Sequence, residues 1–197
     1  MLMVGVSVPR PSGRKPFDRN YMGPLEWTTH FAMWAVTSSP LILGFDLTNA
    51  TLLRQVWPII ANEEVLAVSQ CWHGHPGRLV ANASEYKVLD VVHGSPGLSH
   101  TTERLPSWQA WAKPVDGGAV ALLVVRVWAG RANATLSFPL ATLFAGTPAS
   151  VPASVRVRDI LAHTDNGTAA SVMTVDLAAL PEHGATFVVL TPEQDLT

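Results

Sequence analysis

Glu26-Trp27-Thr28-Thr29-His30-Phe31-Ala32-Met33-Trp34-Ala35-Val36 is followed, three residues on, by Pro40-Leu41-Ile42-Leu43-Gly44-Phe45-Asp46. Trp27, His30, Phe31 and Trp34 fall at i, i+3, i+4 and i+7, which puts them on one face of a helix. Glu26 lies in the first turn, where a negative charge suits the helix dipole. Pro40 breaks the pattern. The apolar run that ends at Asp46 has the form of a strand covered on both faces, as in a parallel sheet.

Working outward, residues 6–24 are rich in Pro, Gly and basic residues and read as an irregular loop. Met1 to Val4 would be the end of an earlier strand. Downstream, Thr48 or Asn49 can cap a second helix whose Leu52, Leu53, Val56 and Trp57 form its buried side. Pro58 is expected to end or kink that helix. Residues 64–69 read as a short extended segment. Strand, helix, strand, helix is the rhythm of α/β architecture.

After Gln70 the rhythm changes. Residues 86–92, 108–113, 119–127, 132–138, 155–160, 171–176 and 186–190 are β-type runs separated by Gly, Pro, Asp and Asn. Gly117-Gly118 marks a tight turn between two of them. Short strands at this spacing, without helical periodicity, predict an antiparallel sandwich.

Composition narrows the class. Of 197 residues, 48% are hydrophobic and 14% charged, which excludes a disordered chain. Net charge is −2 and no Lys/Arg run exceeds two residues, so nothing attracts a phosphate backbone and no nucleic-acid partner is expected. The longest apolar stretch, residues 119–125, stops at Arg126, short of the roughly 20 residues of a spanning helix. No membrane partner is expected. Four Asn-x-Ser/Thr triplets, at Asn49, Asn82, Asn133 and Asn166, are candidate N-glycosylation sites and point to a secretory compartment. The N-terminus lacks the charges-first, apolar-after order of a signal peptide. Together these fit a piece of a longer secreted or lysosome- or vacuole-like protein. Cys71 is the only cysteine, so no internal disulfide forms.

The opening stretch, with Ser39-Pro40-Leu41-Ile42-Leu43-Gly44 and Asp46-Leu47, resembles glycoside hydrolase family 27, the α-galactosidases and α-N-acetylgalactosaminidases. Asn62-Glu63-Glu64-Val65-Leu66-Ala67-Val68-Ser69-Gln70 is similar to the next element of that family, with Cys71 where the family has Asp. Trp111-Ala112-Lys113-Pro114 and Asp116-Gly117-Gly118-Ala119-Val120-Ala121 resemble the opening of its C-terminal sandwich. Val157-Arg158-Asp159-Ile160 and Pro181-Glu182-His183-Gly184 resemble later parts of it. Met1-Leu2 is similar to the end of its Trp-Asn-Asp-Pro-Asp-Met-Leu motif.

The resemblance implies an α/β remnant, the last units of a TIM (β/α)8 barrel, followed by an all-β antiparallel sandwich. The expected division is 1–72 for the barrel end, 73–84 for a linker and 85–197 for the sandwich. It implies a retaining hydrolase of terminal α-galactosides, with no cofactor, whose partner is an α-galactoside or other carbohydrate through the full-length enzyme, and which could be a homodimer. Retaining glycosidases use two carboxyl groups roughly 5–5.5 Å apart. In the family both are Asp, on barrel strands four and six. Both are expected upstream of this chain, so no catalytic residue is assigned and the chain alone is expected to be inactive. Arg14-Lys15-Pro16-Phe17-Asp18 matches the spacing of the acid/base motif but reads as loop charge.

Asp46, at the end of a barrel-type strand, is the candidate substrate-binding residue; a helix-capping or loop-bracing carboxylate is the competing role. Cys71-Trp72-His73-Gly74-His75 could aim a thiol and two imidazoles one way, but a zinc site needs a fourth ligand and a fixed turn. It reads as a polar loop, and no metal site is assigned. His30 is expected as a hydrogen-bonded core histidine, and Trp27, Trp34 and Trp57 as core. Trp108 and Trp111 could stack on sugar, though strand aromatics in a sandwich usually pack core. The rival function is a non-catalytic carbohydrate-binding or interaction β-sandwich module.

Overall fold

The computed structural model describes residues 2–6, 22–92, 100–130, 135–147 and 150–193. Its centre is a six-stranded antiparallel sheet. The order is β1 (Arg78–Asn82), β4 (Trp108–Pro114), β5 (Val120–Arg126), β10 (Ala185–Pro192), β7 (Ser154–Asp159) and β8 (Thr164–Ala170). Two two-stranded sheets accompany it: β2 (Tyr86–Val92) with β3 (His100–Pro106), and β6 (Thr135–Pro139) with β9 (Val172–Asp176).

β5 explains why the sheet has two covered faces. Successive side chains of a strand point to opposite sides. Val120, Leu122 and Val124 face the sandwich core, with Leu136 and Phe138 of β6, Met173 and Val175 of β9, and the short helix α4 (Leu140–Leu143). Ala121, Leu123 and Val125 face the other way, with Phe187 and Ile160, against a helical layer. An unbroken apolar run is what a strand buried on both sides requires. The Asp116–Gly118 turn that enters β5 has positive φ at Gly117 and Gly118, the conformation glycine adopts freely. Here the Gly-Gly turn expectation holds.

The helical layer comprises α1 (Pro24–Val36), α2 (Ala50–Ile60) and α3 (Glu63–Gln70). α1 starts with Pro24 in its first turn, and the Glu26 carboxylate accepts from the Gly23 N–H at 2.8 Å. Its buried face carries Trp27, Phe31, Ala32, Ala35 and Val36. The expected set differs in that His30 and Trp34 are half-buried beside it. Asn49 caps α2 by accepting from Leu52 N at 3.1 Å.

Four sequence expectations are corrected. Residues 41–46 form no extended strand among the described residues; Leu43 makes one isolated parallel bridge with Leu2, and Leu2 N donates to Ile42 O at 2.8 Å. The chain then turns, Val6 N donating to Met3 O at 3.1 Å, so the ladder is not extended, and Met3 N donates on the opposite side to His30 Nε2 at 3.2 Å. Residues 64–69 are helical, not extended: Asn62 accepts from Val65 N at 3.1 Å, Glu63 and Glu64 occupy the first turn, and Val65 and Val68 share the buried side. A four-residue apolar run does not distinguish the two states by itself. Pro58 lies inside α2 without ending it, because only one N–H is lost and that turn is solvent-exposed. Trp57 is 58% exposed, pointing away from the buried Val56. The division expected at residues 73–84 stands apart from these four, and strand β1 lies within it.

Candidate functional site

α3 lies over the face of the sheet that carries Ile160 and Val189, and beside it opens a cleft of about 350 Å³. Its floor is apolar, with Val68, Ile160 and Val189, and its walls carry Glu64, Arg158 and Asp165. The placement follows from local structure. Glu64 is in the first turn of α3; Arg158 is near the end of β7, paired across the ladder with Asp165 of β8.

Both carboxylates pair with the one guanidinium. Arg158 donates to Glu64 through Nε to Oε2 at 2.9 Å and through Nη2 to Oε1 at 3.0 Å. Its Nη1 is 3.5 Å from Asp165 Oδ2, and His163 Nδ1 is 2.6 Å from Glu64 Oε1. The Arg158 hydrogen bond, more than that of His163, holds the Glu64 carboxyl below the usual carboxylate range. A glycosidase general acid needs the opposite, a carboxyl kept protonated near neutrality. Arg158 thus ties Glu64 of α3 to β7 and holds Asp165 of the neighbouring strand by the same guanidinium.

The expected substrate residue, Asp46, is exposed in the loop after Leu43. Its Oδ1 accepts from Thr48 Oγ1 at 2.7 Å and Thr48 N at 2.9 Å, and these bonds, the hydroxyl's foremost, hold its carboxyl below the ordinary value. That geometry is a braced turn. It leaves Oδ2 free of the turn's bonds.

The aromatic candidates divide. Trp108 packs on the sandwich core, edge-on to Phe138 at 6.3 Å between ring centroids. Trp111 packs on the opposite face of the sheet. They do not form one coplanar sugar platform. Trp27 is buried and Trp34 half-buried, as core residues. His30 is half-buried, accepts from Met3 N, and has its pKa lowered by burial, which favours the neutral ring. Asn49, Asn82 and Asn166 are all exposed. Asn133 and residues 14–18 lie outside the described residues.

Lys113, buried at 0% exposure, is a feature the sequence reading passed over. Its ammonium donates to the carbonyls of Val68 and Ser69 at the C-terminal end of α3, the end that a cation stabilises. Burial pushes its pKa down. A lysine flanked by Ala112 and Pro114 in an otherwise buried strand was the available signal.

Residues 106–190 match the family described as Alpha galactosidase C-terminal beta sandwich domain. An α-galactosidase of Coffea arabica is 28% identical over 172 residues, covering 87% of this chain and 37% of that protein. The chain spans about a third of the length of the curated relatives it matches. The α-galactosidase structure of Saccharomyces cerevisiae determined with raffinose superposes with a TM-score of 0.65 at 18% identity, over 98% of this chain and 46% of that one. A family 27 β-L-arabinopyranosidase from Geobacillus stearothermophilus gives 0.63 at 19% identity, over 89% and 32%. The family match and the curated relatives relate the chain to the C-terminal portion of glycoside hydrolase family 27, with residues 106–190 matching its C-terminal β-sandwich domain.

Proposed function

We propose that this chain is the C-terminal part of a retaining α-galactoside hydrolase and holds no catalytic carboxylate pair of its own. In that role residues 1–72 are the end of a (β/α)8 barrel, 73–84 the connection and 85–197 the sandwich that braces it. The parallel bridge between Leu2 and Leu43 supports the barrel assignment, since barrel strands pair in parallel. The whole protein would cleave terminal α-linked galactose, act outside the cytoplasm, and bind carbohydrate through its barrel; a homodimer belongs to the same proposal and is read by light scattering. Exposure of Asn49, Asn82 and Asn166 supports a secreted or lysosome- or vacuole-like setting.

The observation that carries the inactivity is the clamp on Glu64. Its cleft is large enough for a sugar ring, yet Arg158 occupies Glu64 and Asp165, two of the three carboxylates that line it, and the third, Asp116, lies against His73. Purified 1–197 given a chromogenic α-galactoside is expected to release no chromophore above buffer. Release that disappears on Glu64→Gln or Asp165→Asn would overturn the proposal.

A further inference from the structure

Cys71 ends α3, two residues before His73, and the turn Asp116–Gly118 between β4 and β5 approaches them from the sheet. Cys71 Sγ, a ring nitrogen of His73 and a carboxylate oxygen of Asp116 all lie within 4.8 Å of one another. His73 Nε2 is 3.1 Å from Asp116 Oδ1. We propose that Cys71, His73 and Asp116 form a binding site for a zinc-class divalent cation.

The sequence pattern alone lacked two things that such a site needs, a further ligand and a fixed turn. Asp116 supplies a ligand from a distant part of the chain in place of His75, which makes three protein ligands. Gly74, at φ +87, supplies a left-handed turn directly after His73, where a side chain is rarely accommodated. His75 is turned elsewhere, its Nδ1 2.7 Å from Pro76 O. Sulfur, nitrogen and oxygen donors together suit zinc and its neighbours in preference to calcium or magnesium, which take oxygen.

The distances are close to what the ion requires. Zinc bonds of about 2.0–2.3 Å in a tetrahedron put ligand atoms about 3.3–3.6 Å apart. His73 and Asp116, at 3.1 Å, are a few tenths of an ångström short of that, and both side chains are at the surface, 36% and 89% exposed, free to adjust. Cys71 and Asp116 also line the cleft beside α3, which gives the ion an entry path and leaves room for water at a fourth position. A bound ion would tie the end of α3 to the β4–β5 turn. The cost is a proton, because the buried Cys71 thiol must ionise on binding.

Cobalt(II) titration of the full chain tests the site, since Cys71 is its only cysteine. The expected result is a thiolate-to-cobalt charge-transfer band with visible bands of four-coordinate cobalt, both displaced by zinc. His73→Gln and Asp116→Asn, surface changes checked by an unaltered far-ultraviolet circular dichroism spectrum, should each weaken cobalt binding by about 100-fold or more. His75→Gln should leave it unchanged. Absence of the charge-transfer band with excess cobalt would overturn the site. So would equal affinity in either the His73→Gln or the Asp116→Asn chain, which would reduce it to binding by the thiol alone.

Discussion

Arg158 lays two edges of its guanidinium on the Glu64 carboxylate, at 2.9 and 3.0 Å, across 94 residues of sequence. Paired bonds of this kind fix geometry as well as charge. They set the first turn of α3 against β7, while Asn62 Nδ2 donates to Ile160 O at 2.8 Å beside them. One helix is thus joined to the sheet at its N-terminal end by Asn62 and Glu64, and at its C-terminal end by Lys113.

The clamp makes stability depend on pH. Because Glu64 has a lower pKa folded than unfolded, its contribution is present above the unfolded value of about 4.3 and is lost as pH falls through the folded value. Glu64→Gln should lower the urea midpoint at neutral pH. That deficit should shrink as the pH drops below the ordinary carboxylate range. An equal deficit at both ends would show that the charge is not what matters.

Lys113→Met keeps most of the buried stem but removes the donor to Val68 and Ser69. Two carbonyls at a buried helix end would lose their partner, at a cost of about 1–3 kcal/mol. Urea denaturation followed by circular dichroism measures the loss.

The two layers should differ in local stability. α2 buries only Val56, whereas β5 and β10 lie between two apolar cores. Hydrogen exchange on the full chain should show α2 amides exchanging first and those of β5 and β10 last. Equal protection throughout would contradict the division at residues 73–84.

Glycan attachment is a direct check on the secretory setting. Expression in a secreting eukaryotic host should give modification at Asn49, Asn82 and Asn166, seen by mass spectrometry after enzymatic removal. Asn49 also caps α2 through its oxygen, leaving the amide nitrogen for the sugar. Asn49→Ala should therefore cost about 1 kcal/mol even without glycan.

The sandwich was legible in the sequence because its strands alternate with turn residues. Residues 86–92 match β2, and the Gly117-Gly118 turn is where it was expected. Other strands were missed for physical reasons. β8 is polar along most of its length and pairs at the sheet edge, so no apolar signal marks it. β3 is also mostly exposed. α3 was misread because Val65-Leu66-Ala67-Val68 suits a strand until the Asn62 cap is weighed. At the cleft, Arg158 and Asp116 were visible only as parts of family-like motifs. Their partners, Glu64 and Cys71, lie 94 and 45 positions away in the chain and meet them only through the packing of α3 on the sheet.

The most direct measurement of the central claim is covalent trapping. An activated fluorinated α-galactoside, which halts a retaining enzyme at its glycosyl-enzyme intermediate, should leave the mass of purified 1–197 unchanged. A stoichiometric mass increase mapping to a carboxylate of this chain would mean that a working glycosidase centre exists within it.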